Sequence, residues 1–154
     1  PFGDGRLPES LWDLYCGVGG FALAAARAGF PRVTGVEVSS GAISSAISAA
    51  RHAGLSRSAA SFIADDATAW ARAQSPEDVP DVIVVNPPRR GIGADLAAYL
   101  NECDAPRVIY SSCNPASLAT DLATMPTLRP VEGRLFDMFP HTTHAEVALL
   151  LERA

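Results

Sequence analysis

Short apolar runs alternate with alanine-rich segments along most of the chain. Five runs rich in aliphatic and aromatic residues predict β-strands: LWDLY, RVTGVEV, SFIAD, DVIVVN and RVIYSS. The segments between and after them, 21–29, 40–54, 67–74, 94–103 and 115–124, have helix-forming composition, and the first two close at Gly29 and Gly54. Because strands that are apolar on both faces alternate with helices, the pattern predicts a parallel sheet covered on both sides.

The last part of the chain departs from this alternation. LRPVEGRLFDMF and EVALLLER follow one another with no helix between them, so they predict an antiparallel hairpin joined through PHTTHA. The expected fold is therefore α/β, with a mostly parallel seven-stranded sheet, helices on both faces and a C-terminal antiparallel hairpin. We expect a single domain over 1–154, a length that suits one hydrophobic core.

Composition limits the possible chemistry. The net charge is −5, and the chain has arginines but no lysine, so no basic stripe is available to follow a phosphate backbone by itself. There is no run of 18 or more apolar residues and no signal-like start, so we expect a soluble, cytoplasmic protein without a membrane span. The three cysteines, Cys16, Cys103 and Cys113, form no C-x-x-C pair, which argues against a zinc or iron–sulfur site and for a reducing compartment.

Ligands of such a sheet bind beyond the carboxyl ends of its strands, so the residues at those ends are the first candidates for a site. In DLYCGVGG, which starts at Asp13, glycines let the backbone turn sharply and approach a ligand closely. Glu37 ends the second strand, where a carboxylate can accept hydrogen bonds from a ribose hydroxyl pair. The glycines of this turn, followed by Glu37, also fit a loose dinucleotide-binding fingerprint. A nicotinamide dehydrogenase and a merely structural turn therefore both stay open.

Two further strand ends carry polar side chains. Asp66 follows the third strand and either lies near an adenine amino group or caps the next helix. Asn86 follows the fourth strand in NPPRRG, where two prolines end the strand and fix an extended backbone. Asn86 therefore presents its amide at the sheet edge, unless Asn-Pro serves only as strand termination.

The stretch VIYSSCNPASL places Cys113 between a strand and a helix start. Asn114 is a good N-cap and Pro115 suits the first helical position, so the helix field would favour a thiolate at Cys113. An inert packed thiol is the alternative.

PHTTHAE, ending at Glu146, could supply a general base, a metal site or only a polar loop. The spacing of His141, His144 and Glu146 is not a familiar set of metal ligands, so no metal is expected.

The motifs DLYCGVGGFAL, GVEVS, VVNPPRRGIG, VIYSSCNP and DMFPHTTHAEVALLLER together resemble the catalytic domain of the S-adenosylmethionine-dependent RNA uracil-5-methyltransferases. The resemblance is greatest to the bacterial 23S ribosomal RNA enzymes and covers nearly the whole chain from Leu11 onward. It implies a Rossmann-like class I methyltransferase that methylates carbon 5 of a uridine in RNA through a covalent cysteine–uracil adduct. It makes Cys113 the nucleophile and Glu146 the general base.

The resemblance also implies the binding residues. Arg89 would face the RNA or the target base, together with Asn86, where most relatives carry Asp. The implied contacts to S-adenosylmethionine are Asp13, Tyr15, Gly17, Gly19, Glu37, Asp66 and Asn86.

Proteins of this family normally carry further N-terminal regions that bind RNA or complete the cofactor site, and none is present in this chain. We therefore expect a fragment, and a cofactor-binding fragment without activity by itself stays an alternative.

Two other nucleobase methyltransferases remain open. An amino-group enzyme also uses N-P-P, but an aromatic residue normally stands where this chain has Arg89. A cytosine-5 enzyme has a different pattern, in which another cysteine lies in the motif that N-P-P occupies in this chain.

Overall fold

The computed structural model describes residues 8–137 and 145–154, and its elements follow the predicted order. The strands are β1 Ser10–Leu14, β2 Arg32–Glu37, β3 Ala60–Ala64, β4 Val82–Val85, β5 Arg107–Ser112, β6 Leu128–Phe136 and β7 Glu146–Arg153. The helices are α1 Gly20–Arg27, α2 Ser40–His52, α3 Ala67–Arg72, α4 Gly93–Glu102 and α5 Pro115–Ala123, with a short 3-10 helix at Pro76–Asp78. Within these residues, no helix combines the length and apolar character needed to cross a bilayer.

All seven strands form one sheet in the order β3-β2-β1-β4-β5-β7-β6. Strands β1 to β5 run parallel to one another, whereas β7 runs antiparallel between β5 and β6. The predicted sheet and its C-terminal antiparallel pair are thus confirmed; most of the connection predicted for that pair, 140–144, lies outside the described residues. The strand order reverses between β1 and β4, which makes their carboxyl ends the expected place for a ligand.

Hydrophobic clusters lie on both faces of the sheet. On one face, α3, α4 and α5 pack against the strands around Leu14, Ile83 and Tyr110, all fully buried. On the other face, Ala22 of α1 packs with Leu11 and other strand residues. Each fully buried aliphatic side chain contributes roughly 1.5–3 kcal/mol, so these two clusters stabilise the predicted helix–sheet–helix layers.

Local sequence signals account for the helix ends. Ser39 caps α2, since its side chain accepts a hydrogen bond from the backbone N–H of Ala42 at 3.2 Å. Helix α1 ends at Arg27, just before Gly29, whose φ of 104° places it in the left-handed region. Helix α3 is shorter than predicted, because Ala73 already has the role of C-cap.

Candidate active site

A cleft of about 540 Å³ opens at the carboxyl ends of β1, β3 and β4, within the size range of small-molecule sites. A second cavity, of about 300 Å³, lies towards the opposite ends of β1 and β2, away from the predicted site residues. The first cleft therefore marks the candidate active site. Its lining residues are Tyr15, Asp66, Thr68, Ala69, Arg72, Arg90, Ile92, Gly93, Ala94 and Asp95.

The turn after β1 contains three residues with positive φ. Tyr15, predicted as the last residue of the first strand, lies beyond it with a φ of 65°, which is uncommon for a residue other than glycine. Gly19 has a φ of 86°, and a Cβ there would lie 2.8 Å from the Phe62 ring. Gly17 has a φ of 54°, and a Cβ there would meet no atom of the described residues within 4 Å. Gly19 is thus required by packing, while Gly17 leaves open space.

The carboxylate of Glu37 holds this turn in place. Its Oε2 accepts a hydrogen bond from the backbone N–H of Gly17 at 3.3 Å, and its Oε1 accepts one from Ser39 at 3.0 Å. Each carboxylate oxygen can accept more than one hydrogen bond, so both retain capacity for ligand hydroxyl groups. Glu37 is consequently part of the turn and not merely a solvated strand end.

Asp13 is fully buried beneath the turn. Its Oδ2 accepts a hydrogen bond from the backbone N–H of Ala22 at 2.9 Å, whereas its Oδ1 has no partner among the described residues. Burial raises the pKa of Asp13 to about 7, and the hydrogen bond from Ala22 opposes part of this increase. A buried polar atom without a partner requires an explanation, and a bound ligand group or water would supply it.

Asp66 and Asn86 lie at two other strand ends of the same edge. The Oδ1 of Asp66 accepts a hydrogen bond from the backbone N–H of Ala69 at 2.8 Å, so the capping interpretation is confirmed, and the residue also lines the cleft. Asn86 is exposed, and its backbone N–H donates to the carbonyl of Leu14 at 3.4 Å. This bond extends the pairing of β4 with β1, which places Asn86 beside the turn that begins at Tyr15.

The pairing of β5 with β7 brings Cys113 and Glu146 together. Their last paired residues are Ser112 and Val147. Cys113 follows Ser112 and Glu146 precedes Val147, so both residues stand at the same end of the ladder. Cys113 is half-buried, and Asn114 and Pro115 begin α5 as predicted, with the Asn114 side chain accepting from the N–H of Ala116 at 3.2 Å.

The loop after β4 is tied to this region at two points. The Asn114 side-chain amide donates to the carbonyl of Arg89 at 2.9 Å. Deeper in the structure, Asp121 Oδ2 accepts from the hydroxyl of Tyr110 at 2.5 Å and from the N–H of Ile92 at 3.0 Å. The loop carrying Asn86 and Arg89 is thereby joined to the strand and helix that flank Cys113.

Three residues of this region were not among the site residues expected from the sequence: Tyr110, Ser111 and Asp121. The buried hydroxyl of Ser111 donates to Oε1 of Glu146 at 2.5 Å. A signal for Asp121 exists, because it lies three positions after Leu118 and four before Met125, on the buried side of α5. An acidic residue on an apolar helix face indicates a buried hydrogen-bonding role.

The other two cysteines have different surroundings. Cys16 is buried, and burial, followed by the charges of Asp13 and Glu37, raises the pKa of its thiol to about 12. Cys103 is the C-cap of α4, and burial raises the pKa of its thiol as well. Both shifts disfavour the thiolate form that nucleophilic attack requires.

No group of three potential metal ligands is found within residues 8–137 and 145–154. His141 and His144 lie outside the described residues, so the structure does not test whether they bind a metal.

The strand order, the glycine turn after β1 and the acidic residue at the end of β2 define a Rossmann-like methyltransferase fold. A solved structure described as Pyrococcus abyssi tRNA (uracil-54, C5)-methyltransferase in complex with S-adenosyl-L-homocysteine matches with a TM-score of 0.81 and 32% identity. The match covers 93% of this chain and 34% of that chain. TrmN from Thermus thermophilus, with a TM-score of 0.70 and 23% identity over 98% of this chain and 46% of its own, shares the fold.

The chain belongs to the tRNA (uracil-5-)-methyltransferase family, whose model matches residues 77–154. This half contains Asn86, Cys113 and Glu146. A second model, for RNA cap guanine-N2 methyltransferase, matches residues 9–100, a segment that contains the glycine turn and Glu37 and overlaps the first match over 77–100.

Two curated relatives carry the same name, 23S rRNA (uracil(747)-C(5))-methyltransferase RlmC. The protein of Shewanella amazonensis is 50% identical over 96% of this chain, and that of Halothiobacillus neapolitanus is 49% identical over 95%. The chain spans 38% of the length of each of these two relatives.

Proposed function

We propose that the protein transfers a methyl group from S-adenosylmethionine to carbon 5 of a uridine in RNA, with 23S rRNA as the substrate. The observation that supports this proposal is the register of β5 against β7, because Cys113 and Glu146 stand next to its last pair, Ser112 and Val147, at the carboxyl end of β5. Both residues lie in the segment matched by the uracil-5-methyltransferase model. The relatives named for uracil 747 of 23S rRNA, about half identical to this chain, support the choice of substrate.

The residues of the turn and cleft fit S-adenosylmethionine. Glu37 would accept hydrogen bonds from the ribose hydroxyls, because its oxygens are held beside the open space at Gly17. Asp13 retains an unpartnered oxygen beneath the turn, and Tyr15 and Asp66 line the cleft, with Asp66 towards the adenine. When bound, S-adenosylmethionine supplies a methyl group on a sulfonium, which is an electrophile that needs no metal.

The reaction explains why a thiol and a carboxylate are both needed. Carbon 5 of uracil is a weak nucleophile, so the Cys113 thiolate first adds to carbon 6, and the electron pair of the C5–C6 double bond moves into an enolate. Carbon 5 would then take the methyl group as the methyl–sulfur bond breaks, with the bonding electron pair leaving on the sulfur of S-adenosylhomocysteine. Glu146 removes the remaining proton from carbon 5, and the returning electron pair expels the Cys113 thiolate and restores the double bond.

The target base must leave its stack to expose carbon 6 to Cys113, as in other enzymes that act on a nucleobase. Arg90 lines the cleft and Arg89 is exposed in the same loop, so positive charge is available where an extruded nucleotide would enter. We propose that Arg89 contacts the RNA or the base and that Asn86 offers its amide to the uracil. An amide both donates and accepts hydrogen bonds, which matches the alternating carbonyl and N–H groups of the uracil edge.

Trapping of the covalent adduct tests the proposal. RNA carrying 5-fluorouridine at the target position should form a complex with the protein that survives a denaturing gel, since fluorine cannot be removed as a proton after methylation. Cys113→Ala should abolish the complex, whereas the control Cys103→Ala should form it normally. A stable complex in Cys113→Ala would refute the role of this thiol.

Cofactor binding is tested separately by calorimetry. Glu37→Ala should bind S-adenosylmethionine at least about tenfold more weakly, because the ribose acceptors are lost and the turn at Gly17 is no longer held. Glu102→Ala, at the end of α4, is the control and should bind like the wild type. Tight binding of NADH instead of S-adenosylmethionine would contradict the assignment and favour a dehydrogenase.

A further inference from the structure

Ser111 occupies a distinctive position in β5. It is 2% exposed, and its hydroxyl donates to Oε1 of Glu146 at 2.5 Å. Ser111 is paired with Ala148 in the β5–β7 ladder, so Glu146 is its diagonal neighbour two residues earlier in β7. Diagonal neighbours on one sheet face are within reach of a long side chain, which explains how the bond forms.

The bond selects one arrangement of a flexible side chain. Glu146 is the first residue of β7, and a glutamate has three rotatable side-chain bonds, so several rotamers compete unless a partner holds the carboxylate. With Oε1 held by Ser111, the orientation of the carboxylate plane is set by a contact from the neighbouring strand. A general base acts efficiently only within hydrogen-bond reach of the proton that it removes.

The neighbouring serine has a different partner. The Ser112 hydroxyl donates to the carbonyl of Asn114 at 3.0 Å and accepts from the N–H of the same residue. It therefore stabilises the local turn before α5, whereas the Ser111 hydroxyl reaches across to another strand. Of the two serines, Ser111 contacts the carboxylate of Glu146 and Ser112 does not.

We propose that Ser111 is a positioning residue that orients Glu146 for removal of the proton from carbon 5. This inference rests on the function proposed above. Loss of the hydroxyl lets the carboxylate adopt other rotamers, so addition of Cys113 and methyl transfer continue while resolution of the methylated adduct slows. The effect falls on one step of the reaction because Ser111 acts only through Glu146.

The test uses the protein expressed from its complete gene, in single turnovers with methyl-labelled S-adenosylmethionine and unmodified target RNA. Label incorporation reports addition and methyl transfer, and protein–RNA complex on a denaturing gel reports the unresolved adduct. Ser111→Val and Ser111→Thr form a matched pair, since the two side chains have the same shape and differ only in the hydroxyl. Ser61→Ala, which removes a hydroxyl bonded to Thr34 between β2 and β3, is the control.

We expect Ser111→Val to incorporate label at nearly the wild-type rate and to resolve the adduct roughly 10- to 100-fold more slowly. Ser111→Thr should restore resolution, and Ser61→Ala should behave like the wild type. Resolution at the wild-type rate in Ser111→Val, or an equal loss of both steps that Thr does not rescue, would overturn the proposal.

Two further variants keep this inference distinct from the proposed function. Glu146→Gln should accumulate adduct, and Cys113→Ala should incorporate no label. If both behave so while Ser111→Val is normal, only the role of Ser111 is wrong. If both turn over normally, the proposed function itself fails.

Discussion

Gly91→Ala probes the contact between the loop after β4 and α5. Gly91 has a φ of 86°, and a Cβ there would overlap Oδ2 of Asp121 and lie 3.1 Å from its Cγ. Gly93, two residues later, has a φ of 77°, but a Cβ there would meet no described atom within 4 Å. The two glycines share the backbone strain and differ in the clash, so Gly93→Ala is the matched control.

The magnitudes follow from these contacts. A left-handed conformation costs a residue with a Cβ about 1–2 kcal/mol, and both variants carry this cost. In Gly91→Ala the Asp121 carboxylate must also move, which weakens its hydrogen bonds from Ile92 and Tyr110. Loss of one hydrogen bond to a carboxylate costs about 1.5–3 kcal/mol. We therefore expect Gly91→Ala to lower the free energy of unfolding by roughly 2.5–5 kcal/mol and Gly93→Ala by about 1–2 kcal/mol.

Urea unfolding with linear extrapolation measures both free energies, and an unchanged m-value shows that the difference is one of stability. A double-mutant cycle then isolates the clash. In an Asp121→Ala background, the added cost of Gly91→Ala should fall to that of Gly93→Ala, because the overlapping carboxylate is gone. If Gly91→Ala is no more destabilised than Gly93→Ala in the wild-type background, the proposed contact with Asp121 is wrong.

Three further predictions concern single residues. Burial raises the pKa of Asp13 to about 7, so between about pH 4 and 7 the folded state retains a proton that the unfolded state releases, and stability falls as pH rises. Asp13→Asn should remove this part of the slope in a plot of unfolding free energy against pH. An unchanged slope would contradict the prediction. Asn114→Ala should lower the unfolding free energy by about 1 kcal/mol, because the α5 cap is lost. Urea unfolding measures this difference, and a variant as stable as the wild type would contradict the prediction. Iodoacetamide at pH 8 should modify Cys113 well before Cys16, because burial raises the pKa of the Cys16 thiol to about 12. Mass spectrometry measures the two rates of modification, and equal rates would refute this prediction.

Several features could be predicted from the sequence because they depend on neighbouring residues. Asn114 and Pro115 begin α5 where they stand in the chain, since a cap and a fixed φ act within one turn. The alternation of apolar strands with helices predicted the parallel sheet, and the missing helix before EVALLLER predicted its antiparallel end. The place of the turn at Gly17 and Gly19 was also local, because its backbone needs residues that tolerate positive φ.

Features that depend on distant contacts were decided only by the tertiary structure. The sequence indicated Cys113 and Glu146 separately, but their closeness comes from the register of β5 against β7, which strand packing sets over the whole ladder. The hydrogen bond from Ser111 to Glu146 follows from the same register. Asp121 is bonded to Tyr110 and Ile92 because α5 packs over the loop after β4. Local patterns thus determined which elements form, whereas the burial of apolar surface between elements determined which side chains meet.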